Sequence, residues 1–147
     1  MKGNRIRRMK WIWLMAALLL AGCAPKGQSA EESGGETGSC RQISQEEAMR
    51  MMEQDDGHII VDVRRQEEYD SGHIPGAILI PNESIGSTQP EELPDLQQII
   101  LIYCRSGNRS KQAAQKLADI GYANIYEFGG INTWPGETVT EDILAEP

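Results

Sequence analysis

"IILIYCRSGNRSKQAAQKLADIG", residues 99–121, decides the fold. Ile99 to Cys104 is an apolar, β-rich run and reads as a buried strand. Ser110 to Gly121 sets Ala113, Ala114, Leu117 and Ile120 on one side of a helix and stops at a glycine. Arg105 to Arg109 is all that joins them. A strand passing straight into a helix through so short a loop is the start of a βαβ unit.

Outward from that stretch the same alternation continues. Upstream, "HIIVDV" (58–63) and "AILI" (77–80) read as strands covered on both faces, the second framed by Pro75-Gly76 and Pro81. Between them "RQEEYDSG" reads as a short helix closed by Gly72. Further upstream, Ser44-Gln45-Glu46-Glu47 has the S-x-x-E form that opens a helix, and "EEAMRMMEQ" follows with Ala48, Met51 and Met52 at helical spacing. Residues 82–98, with two prolines, hold short helical or turn pieces. Downstream, "NIYEF" (124–128) is another strand and "GGINTW" turns away from it. Strand and helix alternating through short connections predict an α/β domain with a parallel sheet and helices on both faces. Ligands of such sheets bind beyond the carboxyl ends of the strands. Cys104 stands at one of those ends.

The 147-residue chain allows one modest domain once processed segments are set aside. "MKGNRIRRMK" carries five positive charges, and the eleven apolar residues "WIWLMAALLLA" follow it. That pairing reads as a secretory leader, since a spanning helix needs roughly 18–20 apolar residues. Leu20-Ala21-Gly22-Cys23 resembles the lipobox of bacterial lipoproteins. The resemblance implies a signal over 1–22, a palmitate-type acylated Cys23 as the new amino terminus, and a membrane anchor of more than one acyl chain. Residues 23–39, mostly Gly, Ser, Glu and Ala, form a flexible tether, and 40–147 is the folded domain. The implied location is the cell envelope, outside the cytoplasm. Past the leader, nine basic residues face 22 acidic ones, a net of −13, which argues against a nucleic-acid partner. Cys40 and Cys104 are the remaining cysteines. With two histidines and no CxxC, no metal site is expected.

The loop after Cys104 carries the chemistry. Arg105, Ser106, Gly107, Asn108 and Arg109 can curl so that backbone N–H groups point inward, beside the positive end of the following helix. Gly107 permits a positive φ, and Asn108 tolerates it next best. A thiol in such a cradle has a depressed pKa, and the thiolate is the nucleophile. The other reading keeps Cys104 as a small apolar strand-end residue beside an ordinary helix cap. Asp62, buried at the end of its strand, needs a partner. Arg64 and Glu68 can form such a pairing across the turn. His73, in the Gly/Pro-framed "GHIPGA", reads as a structural histidine bonding backbone carbonyls.

Taken together, "DVRRQEEYDSGHIPGA", "IILIYCRSGNRSKQAAQKL" and "FGGINTW" resemble the rhodanese-like domain, most closely its small single-domain sulfurtransferases. The likeness runs from about Ile43 to Trp134. It implies a three-layer α/β fold with a central, mostly parallel five-stranded sheet. It implies that Cys104 carries a persulfide cradled by the loop Arg105 to Arg109. Asp62, Arg64, Glu68 and His73 would support the site, and Trp134 would stand at the pocket rim. It implies a thiosulfate-type donor, a thiol or cyanide acceptor, no cofactor and no metal, and a monomer is expected. Cysteine-dependent phosphatases use C-x5-R, whereas Cys104 to Arg109 is C-x4-R. The shorter cradle suits a sulfur on the cysteine better than a phosphate. The alternative is a non-catalytic module of the same fold that binds an anion or a partner.

Overall fold

The computed structural model describes residues 38–140. The leader over 1–22, Cys23 and most of the tether lie outside the described residues. Among those described, no helix is long and apolar enough to cross a membrane.

The elements follow in the order β1 (Cys40–Gln42), α1 (Gln45–Met52), β2 (Ile59–Asp62), α2 (Gln66–Asp70), β3 (Ala77–Leu79), β4 (Ile99–Cys104), α3 (Asn108–Ile120) and β5 (Asn124–Gly130). A 3-10 turn, Ile131–Thr133, comes next. Ser44 opens α1, its hydroxyl accepting the Glu47 N–H at 3.1 Å. Gly121 closes α3 at φ 118, where its N–H reaches the Leu117 and Ala118 carbonyls. Helix α3 starts at Asn108 and not near Ser110, because Gly107, at φ 101, already turns the chain into it. Residues 82–98 hold turns and no helix, broken by Pro90 and Pro94. Strand β1 has no apolar signal, since its three residues are all exposed. Pairing with β5 makes it a strand. The Ser39 carbonyl already accepts the Ile125 N–H at 3.2 Å, so the sheet begins one residue inside the expected tether.

The sheet order is β1-β5-β4-β2-β3, and every neighbouring pair runs parallel. Strand β4 lies at the centre. Ile100, Ile102 and Cys104 pack with Ala113, Ala114, Leu117 and Ala118 of α3 on one face. Leu101 and Tyr103 pack with Ala48 of α1 and with Phe128 on the other. Helices on both faces complete the three layers and explain why β4 is apolar at nearly every position.

This order fixes where a ligand can sit. The connection leaving β2 runs to β3 on one side, and that leaving β4 runs through α3 to β5 on the other. The direction reverses between β2 and β4, and a crevice opens beyond the carboxyl ends of strands at such a reversal. Asp62 ends β2 and Cys104 ends β4.

Candidate active site

Cys104 is 1% exposed at the end of β4. Its sulfur accepts the Gly107 N–H at 3.1 Å. Hydrogen bonding from Ser110, Gly107 and Ser106 favours its ionised form. Burial alone pushes the thiol up, but these hydrogen bonds outweigh it and leave the pKa below the usual value. Gly107 holds the loop's sharpest turn at φ 101, a region other residues enter only with strain.

The loop is fixed from β5 as well. Ile102 pairs with Glu127 and Cys104 with Gly130, so β5 carries one extra residue, a bulge, opposite the cysteine. Gly129 takes φ 91 there. A Cβ at Gly130 would overlap the Arg105 carbonyl, so the loop lies directly on the strand. Asn132 N–H donates to that same carbonyl at 3.2 Å.

The structure separates the charged residues that the sequence grouped. Arg64 and Asp62 form one pair. Arg64 Nε lies 3.0 Å from both Asp62 oxygens and its NH2 2.7 Å from Oδ2. Both residues are almost fully buried, and the same NH2 donates to the Gly72 carbonyl at 2.7 Å. Glu68 does not join them. It takes Arg109 across the crevice in a two-pronged contact of 2.6 and 2.8 Å. This pairing, against a smaller effect of burial, draws the Glu68 carboxyl from 4.5 down to about 2. Arg109 thus ties the first turn of α3 to α2. Arg105, by contrast, is exposed and its side chain is unpaired among the described residues. Arg65, Glu67, Glu68, Arg105 and Arg109 line a groove of about 410 Å³.

His73 is buried, with Nδ1 3.0 Å from the Tyr69 carbonyl and its ring stacked on that of Tyr69 at 3.7 Å. Its backbone exchanges two 2.8 Å hydrogen bonds with Val139. Trp134 is not at the rim of this groove. It packs 5.5 Å from the Phe128 ring and lines a second cavity of about 470 Å³ with Met49, Met52, Ile60 and Ile74. The 3-10 turn carries the chain off β5 onto the α1 face, which takes Trp134 away from the cysteine. Although larger, that second cavity holds no nucleophile. Among the described residues no group of three or more metal-ligating side chains converges.

A family model for the rhodanese-like domain matches residues 44–137. The chain belongs to the rhodanese-like family. Its enzyme class is that of the rhodanese-type sulfurtransferases. The thiosulfate sulfurtransferase GlpE of Pseudomonas entomophila is 35% identical over 103 residues, covering 67% of this chain and 91% of that protein. A rhodanese-like domain protein from Staphylococcus aureus superposes with a TM-score of 0.59 at 30% identity, over 69% of this chain and 98% of the other. A rhodanese from E. coli, solved with anions, gives 0.51 at 29% identity, over 56% and 98%.

Three residues of this rhodanese-like site escaped the sequence reading. Ser110 was read only as a helix start. Gly130 belongs to the closing "FGGINTW" motif of the family likeness, but its close approach to the Arg105 carbonyl is not legible there. Glu127 lies in "NIYEF" on the same side as Ile125 and is 1% exposed. An acid at an inward-facing strand position was the available signal.

Proposed function

We propose that the domain transfers sulfane sulfur through a persulfide on Cys104. The observation that carries this is the thiol's setting: a buried sulfur at the switch point, accepting the Gly107 N–H within a six-residue turn. The Cys104 thiolate attacks the outer sulfur of thiosulfate. A new S–S bond forms, the S–S bond of the donor breaks, and sulfite leaves with the electron pair. The persulfide's outer sulfur keeps the negative charge, which the loop N–H groups stabilise. Cyanide or a thiolate then takes that sulfur and restores the Cys104 thiolate. Arg105, unpaired on the groove, draws the donor anion in, while Arg109 braces the loop through Glu68. The GlpE relative's name gives thiosulfate as its donor, which supports the same donor here.

The wider setting is a lipid anchor at Cys23, with a monomeric domain held outside the cytoplasm. The leader's charge block, apolar run and lipobox support it. Incubation with thiosulfate and cyanide should yield thiocyanate, and thiosulfate alone should add the mass of one sulfur atom to Cys104. Neither product from the folded wild type would leave a binding module in place of an enzyme. Mass spectrometry of membrane-extracted protein should find acyl chains on Cys23.

A further inference from the structure

Arg65 is the cation of the groove that the sulfur chemistry leaves unused. It stands just before α2, three residues past Asp62, and Arg105 stands two residues past Tyr103. Asp62 and Tyr103 are partners in the sheet register. The two arginines therefore leave neighbouring strands at the same end, one on each side of the reversal. Arg65 is also tied to the cysteine loop through a single atom. Its backbone N–H donates to Glu68 Oε2 at 3.2 Å, and the same Oε2 accepts Arg109 at 2.6 Å. Arg65 and Arg105 are both exposed, and neither side chain has a hydrogen bond or ion pair among the described residues.

Arg109 and Glu68 cancel one another. The charges left on the groove are Arg65, Arg105 and Glu67, one net positive. Its volume of about 410 Å³ lies in the range that takes drug-sized molecules, about 300–1,000 Å³. Thiosulfate, a compact anion, fills only part of it. Unpaired guanidinium groups hold carboxylates, and two of them hold a ligand that carries two. We propose that Arg65 sets the acceptor specificity, selecting a small thiol that carries carboxylate groups beside its sulfur.

The inference rests on the sulfur-transfer reading and adds a substrate class to it. In the second half-reaction the acceptor thiolate attacks the outer sulfur of the Cys104 persulfide. An S–S bond forms on the acceptor, the S–S bond at Cys104 breaks, and the Cys104 thiolate keeps that electron pair. The acceptor departs as a persulfide, and nothing else is consumed. Sulfite has already left, so Arg105 is free again and the acceptor's carboxylates bridge Arg65 and Arg105. A neutral or cationic thiol reaches the same sulfur without that hold. Glu67, on the same groove, opposes the anion and limits how tightly it is kept.

Two thiols test this: mercaptosuccinate, with two carboxylates, and neutral 2-mercaptoethanol. Their intrinsic reactivities differ, so each is compared between variant and wild type. Arg65→Gln should raise the KM for mercaptosuccinate about fivefold, the effect of one exposed ion pair, with little change in kcat. The KM for 2-mercaptoethanol should not follow. Glu67→Gln should shift the mercaptosuccinate KM the opposite way, and added salt should erode the wild type's hold on it. Binding without turnover is read on the thiol: succinate should slow alkylation of Cys104 by neutral iodoacetamide, and less so in Arg65→Gln. Circular dichroism should report a native fold in each variant. No rise in the mercaptosuccinate KM, or an equal rise for both thiols, would overturn the proposal. If thiocyanate is made but succinate protects both proteins equally, sulfur transfer stands and the role of Arg65 falls. If the wild type makes no thiocyanate while succinate protects through Arg65, sulfur transfer fails and carboxylate selection stands.

Discussion

The two arginines of the cysteine loop have different work, and the difference rests on what each side chain touches. Arg109 is committed to Glu68, whereas Arg105 is free to meet an incoming anion. Arg105→Ala should therefore raise the KM for thiosulfate several-fold with little change in kcat, a split read by steady-state kinetics with cyanide as acceptor. The Glu68 pair is read by acid. A carboxyl held at about 2 in the folded chain and near 4.5 when unfolded stabilises the fold fully above 4.5. That contribution drains away as the pH falls through about 2. For a partly exposed pair it amounts to about 1 kcal/mol. The denaturant midpoint of the wild type should decline across this window, and Glu68→Gln should remove that part of the decline. At this scale the sequence was only partly legible. Asp62 with Arg64 lies two residues apart, within reach of local reasoning. Glu68 with Arg109 spans 41 positions and meets only once the strands are ordered.

At the scale of elements, the decisive unit is β4, its loop and α3. Backbone geometry dominates it. Gly107→Ala forces a side chain to φ 101, at about 1–2 kcal/mol of strain. It should also weaken the N–H bond to the sulfur, which thiol titration would show as a raised Cys104 pKa. Gly130→Ala should be worse for function than for folding. Its methyl group displaces the Arg105 carbonyl, so persulfide loading by mass spectrometry should fail while the core stays intact. This unit was legible because a long apolar run, a Gly-containing polar loop and a capped amphipathic helix stand next to one another. Strand β1 was not, since three exposed residues become a strand only through the β5 edge. The β5 bulge was equally hidden: an extra residue in one strand is defined by its partner's count.

For the whole molecule, the parallel order with its reversal between β2 and β4 gathers two distant loops at one end. Alternation of strands and helices made the layers legible. The strand order was not written in any local pattern. The same order keeps the two domain cysteines apart. Cys40 pairs with Ile125, five residues before the Gly130 that pairs with Cys104. At ~3.3 Å per residue that is about 16 Å along the sheet, with two strand spacings across it. A disulfide needs Cα atoms within about 7 Å. Oxidised protein digested without reductant should therefore show no Cys40–Cys104 link, and Cys40→Ser should keep full turnover with thiol acceptors. The centre of the sheet sets overall stability. Leu101→Ala, in fully buried β4, should cost about 2–5 kcal/mol by denaturant unfolding.

The depth of Cys104 gives the empty and loaded protein different faces. Empty, Cys104 is 1% exposed and shielded from any bulky reagent. A second sulfur adds a bond of about 2 Å and carries the reactive atom that much further along the chain of atoms leaving the strand. On the proposed route the cargo could thus be offered to acceptors too bulky to reach the bare thiol. On the proposed persulfide route, reach set by whether the cysteine is loaded would work as a one-way valve, keeping the unloaded thiol from bulky disulfides between turnovers.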